Sequence, residues 1–432
     1  MKEQNSIPTT KTQRSAKFVK TGFQIGGNYI KHYSKKLFNP ELDNSQLNED
    51  NATDIYNSLS ELKGSALKIA QMLSMDKNIL PKSYVDKFTQ SQYNAPPLSG
   101  PLIVRTFTKH FGKTPDKMYD SFNLVSTNAA SIGQVHEASL QGNKLAVKIQ
   151  YPGVADSISS DLKLVKPFAF RLLGMSEKEL NIYVKEVEER LLEETDYELE
   201  VKRSIEFSEA CKVLNNIVFP TYYPALSGKR IITMDWIEGL HLKEFLLTNP
   251  SQELRNKIGQ ALWDFYNFQQ HEIRAVHADP HPGNFLITPD EKLGVIDFGC
   301  IKELPNDFYV PFFSLISADI TKDKSKTIEA FRELEMIHLS DTPSQVEFYY
   351  KSYKEMIELF ARPYLSETFD FSKPEFFEGL YHYGEKIAKM PEFKQARGVK
   401  HFIYVNRTNF GLYTILHELR ATVNTGTYKP QV

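Results

Sequence analysis

Two short segments near residue 280 constrain this chain more than any other feature. Residues 277–287 read His-Ala-Asp-Pro-His-Pro-Gly-Asn-Phe-Leu-Ile, and residues 294–299 read Gly-Val-Ile-Asp-Phe-Gly. Asn284 lies five residues after Asp279, and Asp297 lies thirteen residues after Asn284, where an apolar strand turns at a glycine. So many polar groups beside short apolar strands favour a functional site, with a purely structural loop as the alternative.

The spacing is typical of a kinase catalytic loop. In that pattern Asp279 orients or deprotonates the acceptor hydroxyl, while Asn284 and Asp297 hold magnesium against the nucleotide phosphates. The residue types suit this chemistry because Mg²⁺ prefers hard oxygen ligands. One carboxylate and one amide leave coordination positions for phosphate oxygens and water.

A zinc cluster is the competing interpretation of the same loop. Imidazole and carboxylate are frequent zinc ligands, so His277, Asp279 and His281 could form one. However, Pro280 and Pro282 break any regular ligand face, and no other histidine-rich segment completes the site.

Lys148 occupies a matching position upstream. It follows three small or branched residues in the strand-like run 145–150, as does the lysine that reaches the α and β phosphates in a kinase small lobe. Its partner should be a carboxylate on the following helix, and Glu200 is a candidate. Taken alone, Lys148 would be a solvated strand-end lysine, but the later catalytic loop favours the functional interpretation.

Residues 230–239 resemble the strand and hinge that join the two lobes of a kinase. Backbone groups of Asp235, Trp236 and Ile237 would then meet the adenine. For Trp236, a core aromatic side chain is the alternative.

The glycine-rich loop that covers the phosphates in kinases has no counterpart here. Residues 128–135 at that position read Asn-Ala-Ala-Ser-Ile-Gly-Gln-Val. Alanine keeps its backbone N–H for phosphate contact but disfavours the positive φ that glycine allows. The nucleotide would therefore lie differently, and generic protein phosphorylation is not expected.

These features together resemble the UbiB/ADCK (AarF) family of atypical, protein-kinase-like proteins. The resemblance extends from about Tyr56 to Asn424 and includes a K-x-G-Q-like helix at 66–74 and an E-x-D motif at 194–200. Ala70 departs from the family's Gly, and Asn128 departs from its first Ala. The alanine-rich loop that marks the family corresponds to Asn128, Ala129, Ala130 and Ser131.

The resemblance implies a set of site residues and cofactors. Lys68 and Gln71 would face the active site, with Lys68 near Glu194 or Asp196. Mg²⁺ and ATP (or ADP) would be the cofactors. The catalytic group would comprise Asp279, Lys148, Glu200, Lys68, Glu194 and Asp196.

The resemblance also implies a function. A helix laid across the cleft would block a peptide, so ATPase or small-molecule chemistry is expected, in support of isoprenoid-quinone (ubiquinone-type) biosynthesis at a membrane surface. Expected partners are the nucleotide, a membrane lipid or isoprenoid-quinone precursor, and quinone-biosynthesis proteins. Two alternatives are a small-molecule phosphotransferase of the aminoglycoside or choline kinase type and a non-catalytic, nucleotide-gated lipid-binding scaffold.

The expected fold is α+β and bilobal, with a small β-rich N-lobe, a mostly helical C-lobe and an N-terminal helical extension. Periodicity predicts one long helix over Glu177–Phe207. The polar composition of residues 40–55, rich in Asn, Asp and Glu, predicts a linker there. Predicted helices near Tyr56–Met75 and Ser83–Ser91 make up the extension. Predicted strands are Phe122–Val125, Ile132–Leu140, Lys144–Gln150, Ile217–Pro220 and Arg230–Trp236. Predicted domain ranges are 1–55, 56–120, 121–236 and 237–432.

Composition excludes several classes of protein. Lys plus Arg total 52 and Asp plus Glu total 54, so the net charge of −2 gives no reason to expect nucleic acid. With Cys211 and Cys300 alone, neither a disulfide framework nor a cysteine-based zinc site can form. No signal peptide or transmembrane run is evident, so a cytoplasmic protein is expected.

The first 40 residues are strongly basic. They carry eight Lys or Arg against Glu3, a net charge of +7, with aromatic residues among the lysines. Such an arm could hold the protein peripherally on an anionic membrane surface. A helical extension packed on the main body, with solvated lysines, is the alternative.

Overall fold

The chain divides into two units. The first comprises the described residues up to Lys202 together with Thr221–Trp236, and the second comprises Arg203–Pro220 and the residues from Ile237 onward. The computed structural model describes residues 20–21, 24, 27–28, 31–32, 34–36, 45–62, 98–129, 132–173, 177–316, 322–394, 397–428 and 430. The predicted helix near Ser83–Ser91 and most of the 56–75 helix lie outside these ranges.

The elements are numbered in chain order. The helices are α1 (Ser45–Leu62), α2 (Gly100–Phe111), α3 (Val154–Leu173), α4 (Glu177–Glu194), α5 (Tyr197–Ala210), α6 (Leu242–Leu247), α7 (Gln252–Phe268), α8 (Asn306–Ser314), α9 (Lys324–Glu333), α10 (Pro343–Ala361), α11 (Pro374–Ala388) and α12 (Lys400–Glu418). The strands are β1 (Ser121–Phe122), β2 (Asn128–Ala129), β3 (Gly133–Leu140), β4 (Asn143–Gln150), β5 (Ile217–Val218), β6 (Ile231–Asp235), β7 (Leu240–His241), β8 (Ala275–His277), β9 (Phe285–Ile287), β10 (Leu293–Val295), β11 (Ile301–Glu303), β12 (Thr368–Asp370) and β13 (Thr422–Asn424).

An antiparallel sheet forms the centre of the first unit. Its order is β1-β3-β4-β6, and β2 pairs with β3. Gln141 and Gly142 connect β3 to β4 with φ of 52° and 81°, the two positive values that a tight two-residue hairpin requires. Strand β4 is buried continuously over its last six residues because β3 and β6 flank it. Lys148 therefore lies in the middle of the sheet, between Val135 and Ile232.

The polar linker predicted over 40–55 is wrong, because residues from Ser45 onward form α1. Leu47, Ala52 and Leu59 are buried along this helix. The Asn28 amide donates to Asn51 and Asp54 at 3.1 and 2.8 Å. A described part of the basic arm therefore packs on α1, which the composition of this segment concealed.

The single long helix predicted over Glu177–Phe207 is also wrong. It is interrupted after Glu194, and α5 begins at Tyr197. Asp196 explains the interruption, since its carboxylate accepts from the backbone N–H of Leu199 at 3.1 Å and so caps the new helix. The Gln150 amide of β4 donates to the Thr195 carbonyl at 3.0 Å, which ties the interruption to the sheet.

Over its described residues, the second unit is mostly helical, with three small sheets. One has the order β5-β10-β9-β7, and β8 and β12 pair with β11 and β13 respectively. The strand predicted over Ile217–Pro220 is therefore shorter than expected and pairs in this unit, parallel to β10. Helix α7 supplies the core, where Trp263, Phe265 and Tyr266 are fully buried. In the described parts of the chain, no helix is long and apolar enough to span a membrane.

Candidate functional site

A buried ion pair joins the sheet of the first unit to α5. Lys148 Nζ lies 2.7 Å from Glu200 Oε1, and the two side chains are 11% and 5% exposed. The Lys148 ammonium also lies 5.3 Å from the centre of the Tyr197 ring, on the first turn of α5. The cap at Asp196 sets where α5 begins, and so it sets the height at which Glu200 meets the lysine.

The alanine-rich loop enters the sheet next to this pair. Asn128 is exposed and pairs with Val135, and Ala129 pairs with Gln134. Gly133 follows the loop, and a Cβ there would lie 2.4 Å from the Ile149 carbonyl oxygen and 3.0 Å from the Tyr197 hydroxyl. Only glycine permits this close approach of β3. Ala130 and Ser131 lie outside the described residues.

The E-x-D motif straddles the end of α4 and the start of α5. Glu194 is buried, whereas Asp196 is exposed and caps α5. The expected contact of either carboxylate with Lys68 falls outside the described residues, as do Gln71 and Ala70.

In the hinge segment, several polar groups of Asp235 and Trp236 already form hydrogen bonds within the first unit. The backbone N–H groups of Asp235 and Trp236 donate to the carbonyls of Thr221 and Lys144, at 2.9 and 3.1 Å. The Asp235 carboxylate accepts from the Tyr223 hydroxyl at 2.7 Å. An adenine contact from Asp235 or Trp236 would therefore have to use their carbonyl oxygens.

Ile237 begins the second unit. Its Cγ2 lies 3.0 Å from where a Cβ at Gly294 would stand, so Ile237 packs closely on β10.

The catalytic-loop residues lie in the second unit, between β8 and β9. The Asn284 amide nitrogen donates to the Asp279 carbonyl at 2.9 Å and lies 3.4 Å from its carboxylate oxygen Oδ2. The His281 N–H also donates to the Asp279 carbonyl, at 2.7 Å. The loop therefore folds back on Asp279, and the side-chain nitrogen of Asn284 forms its hydrogen bond within the loop.

Asp297 is connected to this loop through its neighbours. The Ile296 N–H donates to the Asn284 carbonyl at 3.1 Å, and the Asp297 carboxylate accepts from the Gly299 N–H at 2.8 Å. The fully buried Phe298 packs on Phe207 and Phe219 with ring centroids 5.8 Å apart in each case. This apolar anchor fixes the turn that carries Asp297.

The two histidines of the loop have structural contacts. His277 Nδ1 lies 3.4 Å from the Tyr266 hydroxyl, and His281 Nδ1 accepts from the Gly283 N–H at 3.0 Å. Burial, followed by the charge of Asp279, raises the pKa of Tyr266 well above its ordinary value, so the phenol stays protonated. In the described ranges, no three His, Cys, Asp or Glu side chains group as metal ligands.

Arg407 belongs to this loop's surroundings, although the sequence analysis missed it. Its guanidinium nitrogen Nη2 lies 3.1 Å from Asp279 Oδ1, and each side chain is 22% exposed. The residue comes from α12, 128 positions later in the chain. No local pattern marks it, because an arginine in an amphipathic helix is ordinarily a solvated side chain.

Comparison with known proteins identifies the family. Residues 90–331 match the sequence profile of the ABC1 atypical kinase-like domain, which is more than half of the chain. The chain belongs to this family.

Relatives with curated names agree with this family. The chain is 26% identical over 450 residues to "Probable serine/threonine-protein kinase abkA" of Dictyostelium discoideum, covering 97% of this chain and 78% of that protein. It is 28% identical over 377 residues to "Atypical kinase COQ8, mitochondrial" of Saccharomyces cerevisiae, covering 85% and 74%. It is 27% identical over 381 residues to "Atypical kinase COQ8B, mitochondrial" of Danio rerio, covering 85% of this chain and 60% of that protein. The resemblance to the UbiB/ADCK family is thus confirmed, although the chain spans less than two thirds of the Danio rerio protein.

A solved structure supports the fold. The complex of Rv3197 with erythromycin, from Mycobacterium tuberculosis, has a TM-score of 0.63 and 26% sequence identity. The match covers 89% of this chain and 97% of that chain. The predicted α+β, protein-kinase-like fold is confirmed.

Proposed function

We propose that the chain is a Mg-ATP-dependent atypical kinase-like ATPase that hydrolyses ATP in support of isoprenoid-quinone biosynthesis at a membrane surface. Membership of the ABC1 family and relatives named as COQ8 atypical kinases support this proposal. The observation that carries it is the folded catalytic loop, in which Asn284 is held against Asp279.

The donor atoms suit magnesium. Because the Asn284 amide nitrogen donates to Asp279, its oxygen Oδ1 is the atom that remains for a cation. Together with the Asp297 carboxylate it supplies hard oxygen ligands, which Mg²⁺ prefers and which soft or nitrogen-seeking metals do not. When bound, Mg²⁺ would neutralise charge on the nucleotide phosphates.

Two further side chains would act on the reactants. The Asp279 carboxylate would orient the attacking water or hydroxyl and accept its proton. The Lys148 ammonium would contact the α and β phosphates, held in place by Glu200. Burial strengthens this contact because little water is present to screen the charge of the ammonium.

The exclusion of peptide substrates rests on the family resemblance alone, since the segment 66–74 lies outside the described residues. A small-molecule phosphotransferase remains a second candidate. It is favoured by the solved relative from Mycobacterium tuberculosis, which is a complex with erythromycin. Mass spectrometry of hydroxylated acceptors after incubation with ATP separates the two, because only the transferase leaves a phosphorylated product.

Thermal unfolding with and without Mg-ATP tests the proposal. Asp297→Asn should abolish most of the stabilisation by Mg-ATP, because the ligand with the formal charge is lost. Asp307→Asn is the matched control, since Asp307 is exposed on α8 and the same charge is removed from the same unit. Equal stabilisation of the wild type and Asp297→Asn by Mg-ATP would overturn the assignment of Asp297 as a metal ligand.

Membrane association is assigned to the basic arm. Lys20, Lys31 and Lys35 are exposed there, while Asn28 holds the arm on α1. Outside the arm the net charge is −2 − 7 = −9, so attraction to an anionic surface would come from the arm and be opposed by the remainder.

Sedimentation with anionic vesicles at low salt tests this assignment. Changing Lys20, Lys31 and Lys35 together to Gln should weaken binding on the order of 100-fold, because each lysine near such a surface contributes roughly 1 kcal/mol. A second triple variant at exposed Lys243, Lys326 and Lys373 is the control and should bind as the wild type does. Equal losses in both variants would mean that the arm has no special part in binding.

A further inference from the structure

Helix α12 presents one face to the catalytic loop. Arg407 and Gly411 are four residues apart on this helix and therefore lie on the same side of it. Arg407 contacts Asp279, and Gly411 contacts Pro280, the next residue of the loop. Two consecutive loop residues thus meet two consecutive turns of one helix.

Gly411 allows an approach that no other residue would permit. A Cβ at this position would lie 2.2 Å from Pro280 Cγ, 2.8 Å from its Cβ and 3.2 Å from its carbonyl oxygen. Glycine inside a helix costs about 1 kcal/mol relative to alanine. The close contact explains why glycine occurs at this position, because the proline ring is rigid and cannot move aside as a flexible side chain would.

The remainder of α12 is firmly held in the second unit. Thr408, Leu412 and Tyr413 are fully buried, and the Tyr413 hydroxyl donates to the Phe360 carbonyl at 3.0 Å. The buried Asn409 accepts from the Gln270 amide at 3.3 Å. The helix is therefore a fixed surface against which the loop can be set.

Arg407 contacts a different oxygen of the Asp279 carboxylate from the one that the loop approaches. Its guanidinium is 3.1 Å from Oδ1, whereas the Asn284 amide approaches Oδ2 at 3.4 Å. The carboxylate thus has a donor beside each oxygen, one from the loop and one from α12. Rotation about its Cβ–Cγ bond would lose both contacts at once.

We propose that Arg407 is a positioning residue for Asp279, and that α12 is the support on which the catalytic loop is set through the Arg407–Asp279 and Gly411–Pro280 contacts. The proposal rests on the assignment of Asp279 under the proposed function. Arg407 fixes the direction in which the carboxylate faces the attacking group. It therefore acts on the rate of the chemical step and leaves nucleotide affinity largely alone.

Steady-state ATP turnover in the presence of Mg²⁺ is the first test. Arg407→Gln should lower kcat roughly 10-fold or more, since small misplacements of a catalytic group cost this much, while KM for ATP stays within about threefold. Arg407→Lys should recover part of kcat because it restores a cation beside Oδ1. Arg332→Gln, which removes an exposed arginine from α9, is the control and should match the wild type.

Hydrogen exchange of the loop amides is the second test and needs no turnover. In Arg407→Gln, and more so in Gly411→Ala, the amides of His281 and Asn284 should exchange faster, because the loop loses its support. Gly379→Ala is the matched control on α11. A Cβ there meets only the tip of Leu359 at 3.3 Å, so the exchange of the loop amides should not change.

The outcomes separate this proposal from the proposed function. If the wild type turns over ATP and Arg407→Gln leaves both kcat and the amide exchange unchanged, the positioning role is overturned while the function stands. If the wild type shows no turnover, the function fails, and the exchange experiment decides whether α12 supports the loop. Equal losses of kcat in Arg407→Gln and Arg407→Lys, with unchanged exchange, would also overturn the positioning role.

Discussion

An ion pair lies at the candidate site in each unit, and the two pairs differ. Lys148 and Glu200 are 2.7 Å apart and at most 11% exposed, and they link the middle of a sheet to a helix. Arg407 and Asp279 are 3.1 Å apart and each 22% exposed, and they link a helix to a loop. The first pair is almost completely shielded from solvent, whereas the second pair is partly exposed to it.

The difference in burial separates two physical roles. Losing one partner of a buried pair leaves an uncompensated charge in a poorly solvated place, which is strongly destabilising. A partly exposed pair contributes little to stability, because water screens it and replaces a lost partner. The pair in the first unit should therefore matter to folding, and the pair in the second unit should matter chiefly to the orientation of Asp279.

The largest expected effect is on folding of the first unit. Glu200→Gln should lower the free energy of unfolding by about 3 kcal/mol, because a buried ion pair loses its negative partner. Urea denaturation measures this. Glu209→Gln on the same helix breaks a pair with Lys212 whose side chains are 67% and 65% exposed, and it should cost less than about 1 kcal/mol. Similar losses of unfolding free energy in the two variants would contradict the distinction between buried and exposed ion pairs.

The next effect concerns the carboxylate of the second pair. Asp279→Asn should lower ATP turnover by roughly 100-fold, the range expected for a lost acid–base group, while Mg-ATP affinity stays within a few-fold. Turnover and equilibrium binding of the same preparation check both parts. Unchanged turnover would favour the non-catalytic scaffold.

A smaller effect comes from a buried histidine of the second unit. Burial, followed by the charge of Arg274, lowers the pKa of His271 from its ordinary 6.5 to about 3. Between these values the unfolded chain binds more protons, so stability falls as the pH falls. This group alone should account for about 1 kcal/mol between pH 6.5 and 5.5.

His271→Phe is the variant that isolates this contribution. It keeps an aromatic ring against Phe313, which lies 4.8 Å away, but removes the titration. The slope of stability against pH should therefore be shallower than in the wild type, whatever the stability at neutral pH. An identical slope would mean that His271 is protonated in the folded protein at mildly acidic pH.

The smallest expected effect is on folding when the second pair is broken. Arg407→Gln should change the free energy of unfolding by less than about 1 kcal/mol, because both side chains are partly solvated. Urea denaturation beside Glu200→Gln sharpens the contrast. A loss as large as that of Glu200→Gln would mean that Arg407 is chiefly a structural residue.

Much of the site could be predicted from the sequence because its spacing is local. Asp279, Asn284 and Asp297 fall within nineteen residues, so their pattern is visible without a structure. Glu200 could be named because a strand lysine in such a fold needs a carboxylate on a helix after the strand, although α3 and α4 come between β4 and α5 in the chain. The structure pairs these two side chains in the first unit.

Other features depend on contacts that a linear pattern does not contain. Arg407 contacts Asp279 although the two residues are 128 positions apart in the sequence, and no local pattern around Arg407 predicts the contact. The helix break at Asp196 was hidden because a capping aspartate in an acid-rich helix resembles any other acidic residue. The polar sequence of α1 suggested a linker because its buried residues are few and its polar face is bonded to Asn28.

A double-mutant cycle on ATP turnover tests the central claim most directly. If Arg407 acts through Asp279, adding Arg407→Gln to Asp279→Asn should lower kcat no further, since the group to be oriented is already lost. The double variant should therefore turn over ATP at the rate of Asp279→Asn alone. A double variant whose loss is the product of the two single losses would contradict the account, because the two residues would then act independently.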